Sequence, residues 1–543
     1  MTLTEKQMHI WLDEKGMEVP AQSTVYDLLS LQGTELVYFA VIIDGELKDL
    51  RTKVEEGMHL SLISKDSDIA RLMLEKTLCF LIVVAAKQLY PHLFVRIEHS
   101  LDNGIYCEFD QECNDDIKME ELEHQINHLI QENIAILRRY MEKEKAAAYF
   151  ASLGMQDKAV NIHHSQKAFT PIDQLCGIDD YFYGQLCVHT GYLPRVYGAK
   201  MQKGYWFGFH PNPKQPKKLF AVFDAYEQWG RKLSITNVPQ LNAKAKKDGI
   251  DELILMSEAK IEQELVALSH QIASQRPFRR FILISGPSSA GKTTFSHRLK
   301  THLRVLGFQP HTIAMDDFFI NREDCSVLED GTYDFENIEA IDLQLLQQTI
   351  HGLLAGDEVE IPHFNFQNGQ REWRKDMLRI GEDDLLIMEG IHGLNPKVID
   401  GFQQQEVFRI YVNALTHLNM DSHTRIPTRD YRLIRRMVRD YQFRGHSAQQ
   451  TLKGWKHVRE GEDRNIYPYQ EEADVIFNTS MVYEMLILKK IAVPLLAAIR
   501  PQEDVYVEAR RLLFLLDYFD EADSAHIPSN SILAEFVGNS VFF

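Results

Sequence analysis

The sequence predicts a multidomain α/β protein: an N-terminal β-grasp module, an α+β middle domain, and a C-terminal parallel sheet wrapped by helices. Three observations predict it. A chain of 543 residues is too long for one hydrophobic core. Between residues 276 and about 500 the strand-like runs FILIS, HTIAMDD, DLLIMEG, VFRIYVN and DVIFNTS alternate with helical stretches, the signature of a parallel sheet. Directly after the first of those strands stands GPSSAGKT, a Gly-rich phosphate-binding loop that opens a helix.

Residues 1–65 hold the short runs MHIWLD, TVYDLLSLQG, YFAVIIDGELKDL and HLSLIS, with Asp44-Gly45 as a hairpin turn. One helix among short strands predicts the β-grasp module. Residues 66–225 open with an apolar helix from Arg71 to Leu89, closed by Tyr90-Pro91, and continue with the strands FVRIEHS and GIYCEFD. Leu122, Ile126, Ile130, Ile134 and Leu137 then predict one long helix from about Ile117 to Ala148. Aromatic strands such as GYWFGFH follow, broken by the loop PNPKQPKK. Residues 226–275 read as a helical connector, 276–500 as the phosphate-loop domain, and 501–543 as a tail with one helix from Tyr506 to Tyr518.

The net charge of −19 argues against a general nucleic-acid binder, while leaving a local basic patch open. The six cysteines (79, 107, 113, 176, 187 and 325) form no CxxC pair, which suits unbridged thiols in a reducing compartment. The start, MTLTEKQMHIWLDEKG, is polar and mixed in charge, unlike a secretory signal. The apolar run LCFLIVVAA (78–86) is far short of the roughly 20 residues that span a bilayer, so the expectation is a cytoplasmic protein with no membrane partner.

The loop Gly286, Pro287, Ser288, Ser289, Ala290, Gly291, Lys292, Thr293 satisfies G-x-x-x-x-G-K-[ST], and Thr294 continues it into the helix. In a strand–loop–helix setting the loop amides and the helix N-terminus face phosphates, Lys292 reaches the outer phosphate oxygens, and the Thr293 hydroxyl takes a place on Mg²⁺. No N-K-x-D motif of a GTPase is present, and LLIMEGIHGL carries Glu389-Gly390 where a motor ATPase usually has an Asp-Glu pair. Glu389 is the second metal-side candidate. Asp316 and Asp317 in IAMDDFF end the strand after the loop helix, where a carboxylate can accept a proton from a hydroxyl attacking a phosphate. One of the pair also suits a helix cap or turn. Arg432, Arg435, Arg436 and Arg439 recur at i, i+3, i+4 and i+7, a guanidinium stripe that is either a solvated helix face or a clamp on a transferring phosphoryl group.

Taken in order, GPSSAGKTT, MDDFF, YDFENIEAID, IPHFNFQNGQR, LLIMEG, RDYRLIRRMVRD and ADVIF resemble the uridine kinase and phosphoribulokinase branch of P-loop kinases, over about residues 280–480. The resemblance implies ATP and Mg²⁺ as cofactors, Asp316 as general base toward a nucleoside 5′-hydroxyl, and Arg439 and Arg444 as lid residues acting with Lys292. It also implies that Glu336 holds the ribose hydroxyls, that Phe364 and Phe366 flank the base, and that Arg436 contacts substrate. Gly369 stands where uridine-cytidine kinases carry a base-reading His, and His446 where they carry a further Arg, so the acceptor is left open as a nucleoside or another small hydroxyl compound.

Residues 1–65 resemble the TGS domain of threonyl-tRNA synthetases, and AAKQLYPHLFVRIEHSLDNGIYCEF (85–109) resembles part of their editing domain. The metal-ligand pair of that domain falls on Lys76 and Phe80, which argues against a metal or a hydrolytic editing site there. The whole order resembles a bacterial fusion family known as nucleoside kinases. The leading expectation is a nucleoside kinase, with a homo-oligomer compatible with it. The alternatives are an RNA- or tRNA-associated regulatory protein with a nucleotide-sensing P-loop domain, and a P-loop hydrolase.

Overall fold

The computed structural model describes residues 7–109, 117–328, 331–403 and 406–543. The chain begins with β1 (Gln7–Leu12), β2 (Lys15–Pro20), α1 (Val25–Leu31), β3 (Tyr38–Ile43), β4 (Glu46–Lys48) and β5 (His59–Ser64). These strands form one sheet in the order β2-β1-β5-β3-β4, with β1 and β5 parallel and the other neighbours antiparallel. That is the β-grasp arrangement the sequence predicts. Asp44 and Gly45 both take positive φ (51° and 79°), as a two-residue turn between right-twisted strands requires. A capping box between Thr24 and Asp27 starts α1.

Next come α2 (Asp68–Leu89), β6 (Val95–Leu101), β7 (Gly104–Phe109), α3 (Met119–Gln131), β8 (Leu137–Glu142), α4 (Lys143–Ser152), α5 (Gln156–His164), β9 (Phe169–Leu175), β10 (Ile178–Asp180), β11 (Tyr197–Met201) and β12 (Gly204–Gly208). Two antiparallel sheets result, β11-β12-β7-β6 and β10-β9-β8. The apolar run of α2, Leu78 to Ala86, is buried throughout, so it is core. Among the described residues no helix is long and apolar enough to cross a membrane.

The single helix expected from Ile117 to Ala148 is instead α3, β8 and α4. Asn133 takes φ +46°, which ends the helical path, and Leu137–Glu142 then pairs in unbroken register with Phe169–Gln174. Arg138 sits inside this sheet with its Nε 2.7 Å from Asp173 Oδ1, a non-local ion pair that overrides the helical spacing of Ile134 and Leu137.

The remainder comprises α6 (Lys217–Leu233), α7 (Val238–Asp248), α8 (Ile250–Ala273), β13 (Phe281–Ser285), α9 (Lys292–Val305), β14 (Pro310–Ala314), α10 (Leu343–Ala355), β15 (Val359–Asn365), β16 (Gln370–Leu378) and β17 (Leu385–Gly390). It ends with β18 (Val407–Asn413), β19 (Asn419–Asp421), β20 (Thr424–Arg425), α11 (Thr428–Phe443), α12 (Ala448–Asn465), β21 (Val475–Asn478), α13 (Glu484–Ala497), α14 (Tyr506–Asp517) and α15 (Ala534–Val537). The five strand-like runs read from the sequence pair in parallel, in the order β14-β17-β13-β18-β21. Helices cover both faces, so central β13 is buried at every residue and reads as an uninterrupted apolar run.

The N-terminal domains dock on the β19–β20 hairpin, which feeds directly into α11. Ser422 donates to Asp157 Oδ2 from both N (2.7 Å) and Oγ (2.6 Å), and its carbonyl accepts from Ile97 N at 2.9 Å. His423 Nδ1 lies 2.7 Å from Asp180 Oδ2, and buried Lys158 pairs with Asp180 and, at 3.5 Å, with Asp421. At the position of the editing-domain metal pair, Phe80 packs on Phe182 with centroids 5.2 Å apart, and Lys76 Nζ donates to Tyr183 O at 2.9 Å. Burial brings the Lys76 ammonium down to about 8. Among the described residues no group of three or more His, Cys, Asp or Glu could hold a metal ion, and Cys113 lies outside them.

Candidate active site

The phosphate loop spans the carboxyl end of β13 and the N-terminus of α9, so the loop and helix amides face one cleft. Glycine is required at both ends of the loop. At Gly286 an added Cβ would lie 1.9 Å from Val412 O, and Gly291 takes φ +79°. Lys292 Nζ donates to Pro287 O at 3.1 Å, and burial holds its ammonium below the ordinary range while Glu389 and Asp316 pull the other way. Thr293 Oγ1 donates to Glu389 Oε1 at 3.1 Å. Burial pushes the Glu389 carboxyl up to about 7, with Lys292 opposing.

Asp316 lies in the short turn Met315–Phe318 after β14 and is exposed, while Asp317 is only partly exposed. Asp317 Oδ1 accepts from Phe364 N at 3.3 Å and lies 3.1 Å from His363 Nδ1, which ties it to β15 as a local support. The protein crowded around Asp316 pushes its carboxyl upward, Lys292 opposes the shift, and the exposure of the side chain to solvent weakens both effects. Of the pair, Asp316 is the more exposed.

The arginine stripe divides. Arg432 and Arg435 are fully buried and belong to neither a solvated face nor a clamp. Arg432 Nη2 donates to Glu462 Oε2 at 2.6 Å and to Tyr467 Oη at 2.7 Å, while its Nη1 donates to Ser288 O at 3.0 Å. Arg435 Nε donates to Glu484 Oε2 at 2.6 Å and its Nη2 to Thr479 O at 2.9 Å. The phosphate loop is thus braced from behind, with Ser288 N donating to Glu462 Oε1 at 3.3 Å and Thr479 Oγ1 to Ala290 O at 2.6 Å. Arg436, Arg439 and Arg444 keep some exposure. Arg436 Nη1 donates to Ser288 Oγ at 2.8 Å. Arg439 Nη2 lies 3.1 Å from Asp440 Oδ1, with burial and the neighbouring Arg444 depressing its pKa. Arg444 is half exposed, 3.7 Å from the same carboxylate.

Burial raises the Glu336 carboxyl to about 7, with Arg436 opposing. A Cβ at Gly461 would stand 2.4 Å from Glu336 Cβ, so α12 leaves room for that longer acid. Phe364 is buried against Phe319 (centroids 5.4 Å apart) and Phe366 (5.0 Å), whereas Phe366 is mostly exposed. Gly369 turns the β15–β16 hairpin at φ +73°, and a Cβ there would meet Arg322 at 2.6 Å. Arg322 Nη2 in turn donates to Phe366 O at 2.7 Å, so an arginine crosses the space beside the acceptor-side aromatics. Sequence reasoning missed Arg322, Glu462 and Glu535. Glu535, far along the tail, accepts from Thr294 Oγ1 at 2.8 Å.

The donor set suits the groups the loop implies. A threonine hydroxyl beside a carboxylate is an oxygen pair for a hard divalent cation, and a carboxyl raised by burial is one that a cation would return to its charged form.

Residues 281–485 match the model of the Phosphoribulokinase / Uridine kinase family. Uridine-cytidine kinase B of Dictyostelium discoideum is 28% identical over 206 residues, which are 37% of this chain and 75% of that protein. Threonine–tRNA ligase of Rickettsia akari (strain Hartford) is 30% identical over 193 residues, 34% of this chain and 30% of the ligase. The chain thus spans under a third of the ligase it matches. The solved structure named "Possible Uridine Kinase" from Bacillus stearothermophilus aligns over 40% of this chain and 100% of that one, at 18% identity and a TM-score of 0.29. The C-terminal region carries a phosphoribulokinase/uridine kinase-type domain, and the N-terminal region is similar to threonine–tRNA ligases.

Proposed function

We propose that this protein is an ATP-dependent kinase that phosphorylates a hydroxyl of a nucleoside or a similar small acceptor. The observation that carries the reading is Asp316, the more exposed of its pair and near enough to Lys292 on the phosphate loop for the charges of the two to act on each other. The loop amides and Lys292 bind the donor phosphates, Arg439 and Arg444 counter charge on the transferring group, and Thr293 and Glu389 would hold Mg²⁺. Bound there, the cation would supply neutralisation of the donor's phosphate charge. Asp316 takes the proton of the acceptor hydroxyl as its oxygen bonds to the γ-phosphorus and the bond to the β-phosphate oxygen breaks, releasing ADP and a phosphorylated acceptor.

Glu336 and Arg436 form the polar side of the acceptor pocket, and Phe364 and Phe366 its apolar side. The apolar filling around Phe80 and Phe182 supports a non-catalytic role for the N-terminal half, which steadies the β19–β20 hairpin at the root of α11. The test is a screen of ATP consumption over nucleosides and small sugars, with Asp316→Asn as control. Turnover on no acceptor, or equal turnover by the variant, overturns the reading.

A further inference from the structure

The C-terminal segment packs against the phosphate loop, and its one acidic side chain there meets Thr294. Glu535, on the short helix α15, accepts from Thr294 through one oxygen, at 2.8 Å from Oγ1 and 3.4 Å from the backbone N. Its other oxygen lies 3.9 Å from Arg439 Nη1. The carboxylate therefore engages an amide in the first turn of α9 and a lid-side guanidinium together, which is how an anionic phosphate is held.

The segment is seated firmly. Ser531, Ile532, Leu533 and Phe536 are fully buried. A Cβ at Gly291 would stand 2.5 Å from Ile532 Cγ2, so the tail abuts the loop itself. Gln442 Nε2 on α11 donates to Phe536 O at 3.2 Å, the Arg435 guanidinium lies 5.0 Å from the Phe536 ring centroid, and His297 on α9 stacks on Phe542 with centroids 5.1 Å apart. The tail thus bridges α9 and α11.

Resting on the phosphate-donor reading above, we infer that the C-terminal segment is a built-in competitor of the donor, with Glu535 occupying a phosphate position until the donor displaces it. A carboxylate and a phosphate cannot share the Thr294 amide, and their like charges repel at close range in this partly buried setting. Donor binding requires Glu535 to swing out or α15 to lift. Any interaction that draws the tail away raises donor affinity, which makes this segment the point at which the donor site is controlled.

The test is calorimetric titration of the full-length protein with a non-hydrolysable ATP analogue and Mg²⁺. Glu535→Ala is expected to bind the analogue at least tenfold tighter than the wild type, with Glu535→Gln between them. Unchanged or weaker binding by Glu535→Ala overturns the inference alone, because weaker binding makes Glu535 a donor-site ligand. Absence of binding by every form overturns the phosphate-donor reading and this inference with it. Hydrogen exchange in the unaltered protein is the second measurement: saturating analogue speeds exchange in peptides covering residues 531–538, and unchanged or slower exchange there contradicts displacement.

Discussion

Replacing Arg432 by Met tests whether this arginine braces the loop or serves the substrate. Arg432 and Glu462 are both fully buried and joined by two guanidinium–carboxylate bonds, with Tyr467 and the Ser288 carbonyl completing the set. Removing the arginine leaves a buried carboxylate with only the Tyr467 hydroxyl (2.9 Å) and the Ser288 amide as donors. Breaking such a pair from one side costs about 3–5 kcal/mol, whereas replacing both members with apolar groups is often neutral. Arg432→Met/Glu462→Leu should therefore recover most of the loss, giving a coupling of several kcal/mol between sites that act as one unit.

A chain of this length need not unfold in one step, so the suitable assay is native-state hydrogen exchange in peptides covering residues 286–296 and 455–467. The single variant should speed exchange there by roughly 100- to 4,000-fold, from about 1.4 kcal/mol per tenfold change. The double variant should return to within about tenfold of the wild type. A single-variant effect below about fivefold, or strict additivity in the double variant, refutes the brace.

Two further outcomes follow from the same geometry. Gly286→Ala drives a Cβ to 1.9 Å from Val412 O, so the loop must shift and analogue affinity should fall at least tenfold, read by calorimetry. The Glu389 carboxyl, raised to about 7, binds a proton in the folded protein that the unfolded chain releases near its ordinary value of 4.5. This group therefore makes folding stability fall as pH rises from about 4.5 to 7, and Glu389→Gln should flatten the decline in melting temperature across that window. An unchanged slope contradicts the burial of that carboxyl.

The parallel sheet was legible because strands covered on both faces read as unbroken apolar runs, and all five runs became strands. The phosphate loop was legible because its glycines are required locally, at Gly286 and Gly291. What stayed hidden depends on distant partners. Helical spacing put four arginines on one face of α11, but only Glu462 and Glu484, 30 and 49 residues onward, decide that Arg432 and Arg435 are interior. Glu535 contacts Thr294 across 241 residues, and no local pattern marks it. The β15–β16 hairpin escaped notice because β16, QREWRKDML, is largely exposed and charged, with no apolar alternation. The same non-local logic turned Leu137–Glu142 from helix into strand through its pairing with β9.

The most direct measurement of the central claim is product analysis by mass spectrometry after incubation with ATP, Mg²⁺ and a panel of nucleosides and small sugars. The account predicts a phosphorylated acceptor and ADP in equal amounts, with Asp316→Asn slowing the transfer by roughly 10²- to 10⁴-fold while still binding the ATP analogue. ADP and free phosphate with no phosphorylated acceptor would contradict it, as would a variant that transfers at the wild-type rate.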